Sequence, residues 1–159
     1  MAWRGQHRLL NEGARAPEFR LERLTGGFAT LAEILAGGEA LLAFYKVSCP
    51  VCQLTFPFLE RIHRAGRLPI FGVSQNDAAD TQDFNREFGV TFPTLLDSET
   101  SGFPASNEYG ISSVPTLFLV EPGGRVARVI EGWQKKEMEA LGGAGLFRKD
   151  DYVPEWKAG

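Results

Sequence analysis

Short apolar runs alternate along this chain with longer stretches in which apolar residues recur at helical spacing. Residues 40–45 (Ala-Leu-Leu-Ala-Phe-Tyr) are apolar without interruption, the pattern of a strand buried on both faces. Residues 68–74 read as a second buried strand, 94–97 as a short one and 114–120 as another, opening with Pro115. After residue 49, Leu54, Phe58 and Ile62 repeat at i, i+4, i+8 and predict a helix with a core-facing stripe, kinked at Pro57. Residues 80–88 predict a helix capped by Asp80, with Phe84 and Phe88 on one face; a weaker helix over 103–109 ends near Gly110, and a last one starts near Gln134. Thr30-Leu31-Ala32-Glu33 has the T-x-x-E form of a capping box, so a short helix follows and stops at Gly37-Gly38. Ahead of it, residues 16–21 and Phe28 predict a hairpin turning at Gly26-Gly27, and Pro122-Gly123-Gly124-Arg125 folds strand 114–120 onto an antiparallel partner over 126–130. Strands alternating with helices, closed by a hairpin, imply an α/β fold: a central mixed β-sheet with helices on both faces. Residues 1–16 are polar and irregular, and periodicity is lost again after Gly142, which predicts a tail, 142–159, draped on the body.

Length and composition narrow this further. The 159 residues suit a single domain, 43% of them apolar with twelve phenylalanines, enough for an aromatic-rich core without staples. Basic residues number 17 against 20 acidic ones, a net charge of −3 with no basic stripe, so no nucleic-acid partner is expected. The longest apolar runs fall well short of the ~20 residues that span a bilayer, so no membrane segment is expected. Met1-Ala2-Trp3-Arg4-Gly5-Gln6 has no apolar signal core, which predicts a cytoplasmic protein, although a removed export leader leaves the same pattern. Trp3, Trp133 and Trp156 read as packing residues, with Trp133 anchoring the last helix.

The chemistry concentrates in Cys49-Pro50-Val51-Cys52, which holds the only two cysteines of the chain. The motif stands where the strand over 40–45 gives way to a helix. Two thiols at that spacing on a first helical turn can close into a disulfide and reopen without moving the rest of the fold. At a helix N-terminus the Cys49 sulfur meets unpaired backbone N–H groups and the positive end of the helix dipole, both of which favour the thiolate. Pro50 suits the first turn, where its missing N–H is not needed. Cys52, a turn deeper, is the less exposed sulfur. Cys49 is therefore the expected nucleophile and Cys52 the resolving thiol. A zinc site needs four ligands, and only His7 and His63 remain as strong candidates. His63 falls eleven residues past Cys52, which on one helix is ~16 Å away, so no metal is expected and the two sulfurs serve as the redox apparatus without a cofactor. Val114-Pro115 is the second signal. Proline at the start of a core strand cannot donate to the ladder. A cis bond there turns the chain toward the cysteines and leaves the Val114 backbone to pair with an extended substrate peptide.

Four segments together resemble the thioredoxin superfamily, in its redoxin branch of TlpA/ResA-like thiol–disulfide oxidoreductases related to the AhpC/TSA peroxiredoxins. They are Phe44 to Cys52 with Pro57 five residues on, Phe71-Gly72-Val73-Ser74, Phe88 to Asp97, and Tyr109 to Thr116 with its closing hairpin. The likeness covers about residues 14–141 and implies a thioredoxin-like fold with an N-terminal hairpin extension and, over 88–97, the redoxin-type insertion. Departures are specific. Ser48 stands where the family usually has tryptophan, Ala43 where thioredoxins bury an aspartate, and Thr55 where TlpA/ResA-type proteins often carry a glutamate. Neither familiar carboxylate is present to take the Cys52 proton, which leaves water or the Thr55 hydroxyl. Lys46 is placed to stabilise a thiolate at Cys49, or simply to be solvated at a strand end.

The resemblance implies exchange of electrons between Cys49–Cys52 and a protein or small-molecule disulfide, with an external electron donor or acceptor completing the cycle. A peroxiredoxin-like peroxidase at Cys49 is the alternative, weakened by Lys46 where those enzymes place threonine. A non-enzymatic adaptor on the same fold is the third reading.

Overall fold

The structure is a computed structural model, and it describes residues 8–159. Trp3, His7 and the N-terminal hexapeptide lie outside the described residues. The elements follow in the order β1 (Arg20–Arg23), β2 (Phe28–Thr30), α1 (Leu31–Leu35), β3 (Ala40–Tyr45), α2 (Pro50–Ala65), β4 (Ile70–Ser74), α3 (Ala78–Glu87), β5 (Thr94–Leu96), α4 (Pro104–Glu108), β6 (Thr116–Val120), β7 (Val126–Glu131), β8 (Trp133–Gln134), α5 (Lys135–Gly142) and β9 (Trp156–Lys157). Seven strands form one mixed sheet in the order β2-β1-β5-β4-β3-β6-β7. β3, β4 and β5 run parallel, while β6 lies antiparallel to β3 and β7 to β6.

All six residues of β3 are buried, because helices or loops cover both faces of the sheet at its centre. The alternation of a strand sends neighbours to opposite sides, and Phe44 and Tyr45 show it. Phe44 packs on Tyr109 and Phe118 at ring distances of 5.3 and 5.7 Å. Tyr45 packs on Phe56 of α2 and Phe84 of α3 at 4.2 and 5.1 Å. α2 and α3 are successive crossovers that continue in one direction along the sheet, so right-handed connection puts both on the Tyr45 side. Gly72 in β4 is where this layer closes: a Cβ there would stand 3.2 Å from Tyr45, Phe92 and Thr94 at once.

The capping box of α1 forms as predicted, with Thr30 and Glu33 exchanging hydrogen bonds. Three expectations need correction. The cap of α3 is Asp77, which accepts from the Asp80 N–H at 2.9 Å; the side chain of Asp80 instead lies in the first turn. Phe58 and Ile62 of the expected α2 stripe are buried, but Leu54 is only half-buried, and the buried face extends to Cys52, Thr55, Phe56 and Leu59. Trp156 is 63% exposed rather than packed, whereas Trp133 is wholly buried against Phe58 and Phe147. The tail contributes an unforeseen element, β9, which pairs antiparallel with β8. Among the described residues no helix is long and apolar enough to cross a membrane.

Candidate active site

Cys49 is the N-cap of α2 in an extended conformation, and Pro50 opens the helix. The strand-to-helix turn is held open by two side chains that flank it. The Val47 N–H donates to Asn76 Oδ1 at 2.9 Å, and Gln53 Nε2 donates to the Val47 carbonyl at 3.1 Å. Sequence reading missed both residues. Gln53, next to Cys52, is hidden inside the helix pattern, and Asn76 follows a distant strand that only the parallel pairing of β3 and β4 brings to the motif.

The sulfurs are unbridged and differ in exposure: Cys49 is half-buried and Cys52 fully buried. Cys49 Sγ accepts from the Cys52 N–H at 3.1 Å and lies 3.3 Å from the Val114 carbonyl, to which the thiol donates. The Cys49 pKa is lowered to about 7. Its hydrogen bond with the Cys52 side chain is the largest cause; burial works against it, and the N–H groups of Cys52 and Val51 and the charge of Lys46 add to it. Cys52 is pushed up, first by burial and then by the hydrogen bond and negative charge of Cys49, with Lys46 pulling the other way. The two thiols are thereby divided into one poised to ionise and one held protonated.

The remaining candidates fall around this pair. The Val114–Pro115 bond is cis, and its carbonyl faces the leading sulfur. Lys46 is half-buried one turn of chain ahead of Cys49. Thr55 is wholly buried and donates its hydroxyl to the Val51 carbonyl at 2.7 Å, so a proton relay through it needs that bond to break. His63 lies half-buried, its ring edge-on to Phe92 at 6.0 Å rather than at the sulfurs. Among the described residues no group of three or more His, Cys, Asp or Glu side chains is arranged to hold a metal ion.

The uneven thiols give a direct labelling test. Iodoacetamide in limiting amount is expected to alkylate Cys49 first, with a rate that climbs with pH around a midpoint of about 7, and to spare Cys52 in the folded chain. Lys46→Gln is expected to raise that midpoint by roughly half a pH unit, because a nearby cation favours the thiolate. Peptide mass spectrometry across a pH series measures both, and equal labelling of the two cysteines would contradict the division.

Comparison with known proteins bears on the whole arrangement. Thiol-disulfide oxidoreductase ResA of Bacillus subtilis (strain 168) is 29% identical over 133 residues, 81% of this chain and 72% of the relative. The thioredoxin-like protein YneN of the same organism is 30% identical over 137 residues, 82% of this chain and 78% of the relative. Among solved structures, the thioredoxin domain of a thiol-disulfide oxidoreductase from Bacteroides vulgatus superposes with a TM-score of 0.70 at 23% identity, covering 78% of this chain and 91% of that one. StoA from Bacillus subtilis superposes with a TM-score of 0.63 at 21% identity, covering 79% and 96%. At those identities the two structures speak for the thioredoxin-like fold. The AhpC/TSA family model matches residues 13–129, from the loop before β1 to within β7 and across both cysteines, and the chain belongs to that family.

Proposed function

We propose that this protein is a thiol–disulfide oxidoreductase that exchanges electrons with protein disulfides through Cys49 and Cys52. The observation that carries the reading is the pairing of a half-exposed, acidified Cys49 at the start of α2 with a buried, protonated Cys52 behind it. The oxidoreductase names of its relatives support the same chemistry.

The reaction follows from that asymmetry. The Cys49 thiolate attacks one sulfur of a substrate disulfide; the Cys49–substrate bond forms, the substrate S–S bond breaks, and the departing thiolate takes a proton from water. Cys49 has then lost its charge. The anion and hydrogen bond that helped hold Cys52 protonated are gone, and Cys52 ionises more readily. Its thiolate attacks Cys49 Sγ, closes the Cys49–Cys52 disulfide and releases the second substrate thiolate. Two electrons and two protons leave the protein dithiol and two substrate thiols appear. An external dithiol returns the protein to its starting state. The two sulfurs carry both electrons, so the reading needs no cofactor. Lys46 supplies a positive charge near both sulfurs in this scheme, and the Val114 carbonyl marks where a polypeptide would run past Cys49. The peroxidase alternative finds no threonine at the position of Lys46 to hold a peroxide.

Insulin reduction with dithiothreitol as donor tests the proposal. Cys49→Ser is expected to lower turnover at least about a thousandfold, because the serine hydroxyl stays protonated at neutral pH and cannot replace a thiolate. Full activity without Cys49 would end it.

A further inference from the structure

The chain after α5 has no helical or strand periodicity, yet the structure runs it back to the redox site. Its upstream part is firmly tied. Asp151 pairs with Arg61 of α2 through both carboxylate oxygens, at 2.6 and 3.0 Å. The Trp133 indole donates to the Pro154 carbonyl at 2.6 Å, and the Lys135 N–H donates to the Glu155 carbonyl at 3.0 Å. Past Glu155 the anchoring thins. β9 is two residues long, Trp156 to Gly159 are exposed, and a lone pair of such short strands is marginal in water.

This thinly held segment lies on the edge that matters. Residues 157–159 cross Gly132 so closely that a Cβ there would stand 2.5 Å from the Lys157 carbonyl oxygen and 3.2 Å from the Gly159 nitrogen. Gly132 in turn donates to the Pro115 carbonyl at 2.8 Å. Gly159 rests on the next peptide: a methyl group placed on it would overlap the Val114 carbonyl oxygen and come within 3.3 Å of the Pro115 nitrogen. That same Val114 oxygen is the hydrogen-bond acceptor of Cys49 Sγ. A polypeptide laid along Val114 to bring its disulfide onto Cys49 meets residues 157–159 already there. A small disulfide needs only the half-exposed sulfur itself.

We propose that residues 156–159 form a strap over the Val114–Pro115 edge, which lets Cys49 react with small disulfides but must lift before a polypeptide disulfide can be engaged. The proposal rests on Cys49 being the nucleophile. The hinge is the junction between Glu155 and Trp156, where strong anchoring ends. With the strap down most of the time, the apparent affinity for a polypeptide falls by the fraction of molecules in which it is up.

Two variants and two substrates decide it. A chain ending at Glu155 keeps the carbonyls that Trp133 and Lys135 bind. Gly159→Val keeps residues 156–159 and pushes position 159 off the Val114 carbonyl. Both are expected to raise kcat/KM for insulin about tenfold, matching a competent fraction of about one in ten. Both are expected to leave the rate with a small aromatic disulfide, 5,5′-dithiobis(2-nitrobenzoate), within about twofold. No gain with insulin in the truncated chain, an equal gain with both disulfides, or a gain on truncation that Gly159→Val does not share would each overturn the strap at Val114. If the unaltered chain and both variants fail to react with either disulfide, Cys49 is not the nucleophile and the proposal falls with that reading.

Discussion

Replacing Cys52 with serine is expected to stop the cycle halfway and leave the protein covalently joined to its substrate. The nucleophile in that variant is intact: Cys49 keeps its N-cap position, the Cys52 backbone N–H at 3.1 Å and the charge of Lys46. It loses the side-chain hydrogen bond from position 52 only in part, since the serine hydroxyl can still donate. The first displacement therefore proceeds. The second has no thiolate to perform it, and external thiol must substitute. Positioned intramolecular groups reach effective molarities of ~10⁵ M or more, so ~1 mM external thiol replaces Cys52 poorly, and turnover is expected to drop at least about a thousandfold, ~4 kcal/mol in barrier. Intact-mass analysis without reductant should show one substrate chain bound through Cys49 and released by excess dithiothreitol. Wild-type turnover in Cys52→Ser, or an adduct on no cysteine, would refute the division of labour between the two sulfurs. The same trapped species identifies the polypeptide that the protein meets in a cell, because the adduct survives purification.

What the sequence disclosed and what it hid follow a physical line. β3 was readable because six consecutive apolar residues have few other destinations, and the capping box at Thr30 because its two hydrogen bonds are local. The cysteines declared themselves by spacing alone. The long-range partners did not. Asn76 reaches Val47 through the register of two parallel strands, and nothing in either local segment encodes that register. The width of the buried face of α2 is hidden for a related reason. Phe58 and Ile62 keep helical spacing and are buried, but Cys52, Phe56 and Leu59 keep it too and are buried beside them, while Leu54 is only half-buried, and the sheet underneath decides how far the face extends. Asp77 and Asp80 are both competent caps; Asp77 wins because the helix starts one residue after it. The tail escaped because its structure is borrowed. β9 exists only where β8 offers an edge, and residues 157–159 are placed by a gap at Gly132 rather than by any pattern of their own.

A large stability effect is expected not at the sulfurs but toward the opposite end of the same helix, at Glu60. This carboxylate sits in a buried position of α2 and gathers four donors: the Thr91 N–H at 2.8 Å, the Phe92 N–H at 3.3 Å, the Thr91 hydroxyl, and Arg64 Nε at 2.9 Å. Burial pushes its pKa up, but the hydrogen bonds from Thr91, Arg64 and Phe92 outweigh burial and hold it below the ordinary carboxylate value. Glu60 thus fastens the helix that carries Cys49 and Cys52 to the turn leading into β5. Glu60→Ala strands the N–H groups of Thr91 and Phe92 and leaves a gap, while the largely exposed Arg64 returns to water. Phe92 is buried whereas Thr91 is exposed, so at about 1–3 kcal/mol for the buried group left unsatisfied the loss is expected to be about 2 kcal/mol. Urea unfolding should show a lower midpoint with an unchanged slope, the mark of lost stability without a change in exposed surface. The pH dependence supplies an independent check. A carboxyl whose pKa is depressed on folding stabilises the native state above its unfolded pKa, and that contribution disappears as the pH falls through the folded value. Wild-type stability should therefore decline on acidification below the ordinary carboxylate range, and Glu60→Gln should lack that part of the decline while retaining an acceptor for the Thr91 N–H. If Glu60→Ala unfolds at the wild-type urea midpoint, the carboxylate does not fasten α2 to the β5 turn, and the orientation of the cysteine helix must be set by its other contacts: the aromatic layer of Tyr45, Phe56 and Phe84, Phe58 against Trp133, and Arg61 with Asp151.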